Sequence, residues 1–221
     1  MNTLRFTFRG AELAALPSGA LFWEDERLLV VSDLHFGKSA RLSAVGGAAL
    51  PPYETQETLL RLETDLAQTR AARVICLGDS FDARGIADEM PERERLWIAR
   101  LQAGRDWTWI EGNHDPGPVA LGGSHRAELR VRELAFRHIA TPGAEGEVSG
   151  HYHPKARLRL RGRALTRPCF LVDCARLILP AYGAYTGGLH CDTAVLTGLM
   201  APGATAILTG PSPVAIPMPR G

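Results

Sequence analysis

Along the first half of the chain short apolar runs alternate with stretches of helical spacing, whereas the second half is strand-like almost throughout. LRFTF (Leu4 to Phe8), ALFW (Ala20 to Trp23) and LLVVSD (Leu28 to Asp33) are short, rich in β-branched or aromatic residues and bounded by Gly, Pro and charge, which predicts strands. Between Glu54 and Arg70 the positions Leu59, Leu60, Leu62 and Leu66 fall near helical spacing behind Pro51-Pro52, so an amphipathic helix is expected there. RVICLGD (Arg73 to Asp79) stays apolar until Gly78, as a strand buried on both faces does. A second helix over Pro91 to Leu101 precedes the strand WTWIEGN (Trp107 to Asn113). ELRVRELAFRHI (Glu128 to Ile139), EVSGHYH (Glu147 to His153), ARLRLRGRAL (Ala156 to Leu165) and CFLVDCARLILPAY (Cys169 to Tyr182) continue as strands. The reading is one domain over 1–210, followed by a flexible Pro-rich tail over 211–221, where PSPVAIPMPRG holds four prolines.

At 221 residues, 45% hydrophobic and 22% charged, the chain can bury one sizeable core and falls outside the disordered and fibrous classes. A net charge of +1 argues neither for nucleic acid nor for a membrane surface as a bulk electrostatic partner. Only Lys38 and Lys155 are lysines, so the other 23 of the 25 basic residues are arginines, suited to bidentate phosphate contact. Cys76, Cys169, Cys174 and Cys191 lack CxxC spacing and the opening MNTLRFTFRG has no apolar core, which points to a reduced, cytoplasmic compartment. No run reaches the ~20 apolar residues of a membrane span.

The chemistry gathers at the ends of apolar runs. Asp33-Leu34-His35, Gly78-Asp79 and Gly112-Asn113-His114-Asp115 each follow a predicted strand, and Gly150-His151-Tyr152-His153 comes later. In an extended chain residues i and i+2 share a face, so Asp33 with His35, and His151 with His153, can each chelate. Taken singly, Gly-Asp, Gly-Asn and a histidine near a turn are commonly just turns. Their succession at strand ends places them together at one edge of a sheet, where open α/β folds bind ligands.

These blocks resemble the calcineurin-like metallophosphoesterase superfamily, whose motifs read D-x-H, G-D-x-x-D, G-N-H-E/D, a lone His and G-H-x-H. For the lone His, His138 closes LAFRH thirteen residues before His151 and is preferred to His125 in its Gly-Gly-Ser loop. The resemblance implies an α/β (α+β) four-layer fold, two packed β-sheets flanked by helices. It also implies one metal held by Asp33, His35, Asp79 and His153 and a second by Asp79, Asn113, His138 and His151, with Asp79 bridging. A metal-bridging hydroxide would attack phosphorus, and His114 would protonate the leaving oxygen or stabilise the phosphorane-like charge. Carboxylate, imidazole and amide donors without thiolate suit Mn²⁺ first, with Fe²⁺ and Zn²⁺ as alternatives. Asp115 is read either as a carboxylate that orients an imidazole or as a plain surface group, and Asp82 is equally open.

Three longer segments, SDLHFGKS with LPPYET downstream, VICLGDSFD and RLILPAYGAYTGGL, are similar to the ligase-associated DNA damage response endonucleases. That resemblance implies a DNA endonuclease in bacterial repair, associated with an ATP-dependent DNA ligase, a helicase and an exonuclease. In that pattern GDSF is usually followed by His-Asp, whereas Asp82 follows directly here. Arg157, Arg159, Arg161 and Arg163 alternate with leucines, which suits either a DNA backbone track or charge guarding a strand edge. Tyr182 and Tyr185 are candidates for base stacking or for the core. The alternative functions are a phosphatase or diesterase for nucleotides or other small molecules, and a catalytically dead scaffold.

Overall fold

A computed structural model describes residues 2–44, 46, 53–118, 120–160 and 163–220. The chain opens as an antiparallel meander of β1 (Leu4–Phe8), β2 (Ala11–Ala15), β3 (Leu21–Trp23) and β4 (Leu28–Val31). Parallel strands need a crossover, and helices supply it. After α1 (Lys38–Ala44) and α2 (Glu54–Thr69), β5 (Arg73–Leu77) joins β4 in parallel. α3 (Ile86–Glu89) and α4 (Glu92–Gln102) lead to β6 (Asp106–Ile110) and then β7 (Ser124–Arg126), both again parallel to their predecessors. The second sheet contains β8 (Glu128–Val131), β9 (Leu134–Arg137), β10 (Glu147–Ser149), β11 (Lys155–Leu160), β12 (Arg163–Val172), β13 (Arg176–Ile178), β14 (Thr205–Leu208) and β15 (Val214–Pro217), with α5 (Ala194–Leu199) before β14. Its order is β15-β14-β12-β13-β10-β9-β8, and β11 forms a hairpin with the start of β12.

Strand alternation sorts the side chains into three apolar layers. Leu29, Val31, Val74, Cys76, Trp107 and Trp109 face the helices, where Leu59, Leu62 and Leu66 of α2 meet them. Leu28, Val30, Ile75, Leu77 and Ile110 face the other way and pack on Phe136, Val148, Phe170 and Leu177 of the second sheet. Beyond that sheet α5 buries Leu196 against Cys169, Leu171 and Ile178. Two sheets packed face to face with helices outside give the four expected layers. Leu60, counted among the apolar positions of α2, is 57% exposed and lies off its buried stripe. Among the described residues no helix is long and apolar enough to cross a membrane.

Three local readings change. ELRVRELAFRHI is a hairpin rather than one strand, turning at Arg132 with φ 49°. CFLVDCARLILPAY breaks where Asp173 Oδ1 accepts the N–H groups of Ala175 and Arg176, both at 2.8 Å. The expected loose tail is tied down over most of its length. Val214–Pro217 pairs antiparallel with β14, Met218 N donates to Ala204 O at 2.9 Å, and Arg220 Nη2 donates to Met200 O at 2.9 Å. An edge strand tolerates proline because one side needs no donor, so a proline-rich segment pairs there once Val214 and Ile216 supply β-branched positions.

Met218 is 5% exposed within the layer under α5. Met218→Ala should therefore cost about 2 kcal/mol or more in denaturant unfolding, the usual scale for emptying a buried methionine site. A change indistinguishable from zero would return the segment to the status of a free tail.

Candidate metal centre

β4, β5 and β6 run parallel and end at one edge, and the loops that leave them go on pairing. Asp33 N donates to Gly78 O at 3.3 Å, His35 N to Asp79 O at 2.9 Å and Phe36 N to Ser80 O at 2.9 Å. The backbone here is not extended. Asp33 (φ 53°), His35 (47°), Asp79 (44°), His151 (71°) and His153 (46°) are all left-handed. Such residues are uncommon and cost of order 1–3 kcal/mol each, so the surrounding structure has to hold them. The expectation that each i, i+2 pair shares a face in an extended chain is thereby corrected. Asp33 and His35 do share a group, but His151 and His153 part company.

Two groups of donors result. Potential ligand atoms of Asp33, His35 and His153 lie within 4.8 Å of one another, as do those of Asp79, His138 and His151. Asn113 adjoins the second group, its Oδ1 standing 3.0 Å from His138 Nε2. Asp33, His35, Asp79 and Asn113 come from the ends of the first sheet, and His138, His151 and His153 from loops of the second. His125, the other candidate for the lone His, lies on β7 stacked on Trp109 with ring centroids 6.5 Å apart, and belongs to neither group.

Glycines permit the crowding. A Cβ on Gly78 would stand 2.5 Å from the His138 ring, and one on Gly150 would stand 1.7 Å from Ser32 Oγ and 2.6 Å from Asp33 Oδ2. Each motif glycine therefore marks a place where a ligand passes directly over backbone.

The donor set fits cations. His138 Nδ1 is 2.8 Å from Leu77 O, which can only accept, so Nδ1 carries the proton and Nε2 offers its lone pair. That lone pair faces Asn113 Oδ1 at 3.0 Å, His151 Nδ1 at 3.2 Å and Asp79 Oδ2 at 3.3 Å. Acceptors converging in a buried place are stable only with positive charge among them. In the first group His35 Nε2 is buried without a hydrogen-bond partner, and Asp33 Oδ1 lies 3.0 Å from His153 Nε2. Burial opposes ionisation of Asp79, yet hydrogen bonding and charge from the His138 ring when Nε2 also carries a proton, with help from His114, hold its carboxyl at about 2. Asp33 is also lowered, against its own burial, by His153 and His138. Both carboxylates are charged at neutral pH.

The surrounding residues resolve the open readings. Asp82 is buried, its Oδ1 2.9 Å from His35 Nδ1 and its other oxygen paired with Arg41 Nε, so it orients the His35 ring. Asp115 accepts Ser80 N at 2.8 Å, Phe81 N at 3.2 Å and Gly112 N at 3.1 Å. It clasps two ligand loops together and serves neither an imidazole nor the surface. Burial first, and the charge of Asp79, raise its carboxyl to about 6. His114 donates its backbone N–H to Asp79 Oδ1 at 2.9 Å, while its Nδ1 lies 2.9 Å from Asp82 O. Its half-exposed ring holds Nε2 4.0 Å from Asp79 Oδ2. Sequence reading did not single out Ser32, whose hydroxyl bonds Asp33 Oδ2, or Arg41 on the short α1. Nor could it find the carbonyl of Leu77, since a backbone acceptor leaves no trace in residue type.

A model of the calcineurin-like phosphoesterase family matches residues 26–166, a span that contains every residue of both groups. The chain belongs to the calcineurin-like phosphoesterase family. This phosphoesterase is also similar to the crystal structure of Pseudomonas putida nuclease MPE, with 30% identity over 96% of this chain and 100% of that one, and a TM-score of 0.75. None of the curated proteins matches it. The chain is thus a hydrolytic metallophosphoesterase, and its two donor groups fit the two divalent metals that such enzymes use.

Of the other candidates, Tyr182 is fully buried with its hydroxyl on Asp65 Oδ2 at 2.8 Å, so its ring cannot stack a base. Arg157 is exposed, 3.2 Å from His190 Nε2, whereas Arg161 and the side chains of Arg159 and Arg163 lie outside the described residues.

Asp79 sits at the heart of the second group and His114 beside it. Asp79→Asn should therefore lose bound divalent metal, while His114→Ala should keep it and turn over roughly two to four orders of magnitude more slowly. Metal analysis of the two purified variants decides, and a metal-free His114→Ala protein would make that histidine a ligand. Asp82→Asn should weaken metal affinity roughly 10–100-fold by freeing the His35 ring, which titration of the apoprotein measures.

Proposed function

We propose that this phosphoesterase is a two-metal phosphodiesterase that cleaves DNA in bacterial repair. The observation that carries the reading is the pair of three-donor groups meeting where the two sheets end, with His114 beside them on the open side. A solved nuclease of the same fold, alike along nearly the whole chain, supports a nucleic acid as the substrate. The segments shared with the ligase-associated endonucleases support a cytoplasmic repair role beside an ATP-dependent DNA ligase, a helicase and an exonuclease.

In this reading one cation would be held by Asp33, His35, Asp79 and His153 and the other by Asp79, Asn113, His138 and His151, with Asp79 serving both. The donor chemistry favours Mn²⁺, with Fe²⁺ or Zn²⁺ as substitutes. Two divalent cations so held would polarise the phosphate and supply a nucleophile from water at neutral pH. The protein does the rest. Leu77 O keeps His138 in the tautomer that presents Nε2, and Asp82 holds His35 in place. Asp82 O accepts from Nδ1 and orients the His114 ring, which in its doubly protonated form would deliver the Nε2 proton to the departing oxygen and remain as the neutral Nδ1–H imidazole. The left-handed loops fix these groups before substrate arrives, so little reorganisation accompanies the reaction.

Chelated protein reloaded with Mn²⁺ should recover best, bind two ions per chain, and hydrolyse DNA and bis-p-nitrophenyl phosphate much faster than p-nitrophenyl phosphate. Full turnover with one ion would overturn the two-metal assignment. Preference for the monoester over every diester would replace the nuclease with a phosphatase.

A further inference from the structure

Beside His153 a cavity of about 380 Å³ opens, walled in part by Arg61, Lys155, Tyr185 and Thr186. The loop that forms this wall is fastened at both ends to the metal-centre loops. Gly183 N donates to Asp33 O at 3.1 Å, and Ala184 N to Thr58 Oγ1 at 3.0 Å. Further on, Lys155 Nζ donates to Thr186 O at 3.2 Å and Leu189 N to Tyr152 O at 3.1 Å. Between these anchors Tyr185 is 42% exposed and left-handed, with φ 57°. A bulky residue in that conformation is costly, and such strain concentrates where a side chain must be presented in one direction. Tyr182, three residues earlier, is wholly buried, so the loop puts one ring into the core and leaves the other at the cavity.

The charges suit a nucleotide. Arg61 is shared with Glu57 at 2.9 Å, whereas the Lys155 ammonium, bonded to one carbonyl, has two further protons to offer. An aromatic face and an ammonium with protons to spare beside a phosphoesterase centre match a base and its phosphate, and stacking serves any base because each has a π-face. We propose that Tyr185 is the stacking platform for the nucleobase next to the scissile phosphate, with Lys155 contacting that nucleotide's phosphate. The assignment rests on the phosphodiesterase reading above and adds its substrate-binding side chains.

The test compares the p-nitrophenyl phosphodiesters of thymidine, 5′-linked and 3′-linked, with the same esters bearing tetrahydrofuran in place of the nucleoside. All share one leaving group, so the ratio of kcat/KM within a pair reads the base alone. For one linkage the Mn²⁺-loaded enzyme should favour the thymidine ester roughly tenfold or more, through KM. Tyr185→Phe should keep that ratio and Tyr185→Ala should bring it close to one, with thermal melting showing both variants folded. A ratio near one in the unaltered enzyme, or one that survives in folded Tyr185→Ala, overturns the platform while diester hydrolysis itself stands. If no diester is hydrolysed the phosphodiesterase reading fails instead, and calorimetric titration then decides the platform separately. Thymidine 5′-monophosphate should bind the protein more tightly than 2-deoxyribose 5-phosphate, and equal binding would overturn it.

Discussion

One hydrogen bond between the two sheets, from His138 Nδ1 to the carbonyl of Leu77, governs the geometry of the centre. Leu77 ends a strand of the first sheet and His138 follows a strand of the second, so the bond forms only when the sheets are packed in register. It settles which nitrogen of His138 is free and where it points. The interior between the sheets, with Leu77, Phe136 and Val148 in contact, is what makes that register unique. Packing and chemistry are thereby linked: a displacement of one sheet on the other would move His138, His151 and His153 together relative to Asp33 and Asp79.

The loops that carry the donors gain their rigidity from backbone contacts. Strand pairing continues past β4 and β5 into the loops, Asp115 clasps three N–H groups, and Gly78 and Gly150 let side chains pass where a methyl group would collide. These contacts offset the cost of five left-handed non-glycine residues. Precision here comes from crowded backbone, which also explains why the donors are short side chains or rings with few rotamers.

Much of this could be read from residue types. The apolar run Val74 to Leu77 declared its strand, and the motif residues declared the edge where they meet. His138 was harder, because a lone histidine after LAFR has no local pattern and was singled out only through family resemblance. The proximity of His151 to Asp79 and of His153 to Asp33 depends on positive φ values that the sequence does not display, so extended-chain reasoning paired Asp33 with His35 correctly but joined His151 to His153, which only the family resemblance separated. Asp82 and Asp115 stayed ambiguous because their partners, Arg41 and the Ser80, Phe81 and Gly112 amides, become neighbours only through tertiary packing. The terminal strand was missed because proline counts against a strand everywhere except at an open edge.

The division of the donors between two sheets has a thermodynamic consequence. A cation held jointly by Asp79 and His138 joins the halves of the molecule, so its binding free energy is also free energy of sheet docking. By mass action a hundredfold excess over Kd adds about 2.7 kcal/mol to folding, a large share of what a domain of ordinary stability possesses. Withdrawing the cation would then loosen the docking of the two sheets as well as silence the site, so occupancy and fold stability rise and fall together.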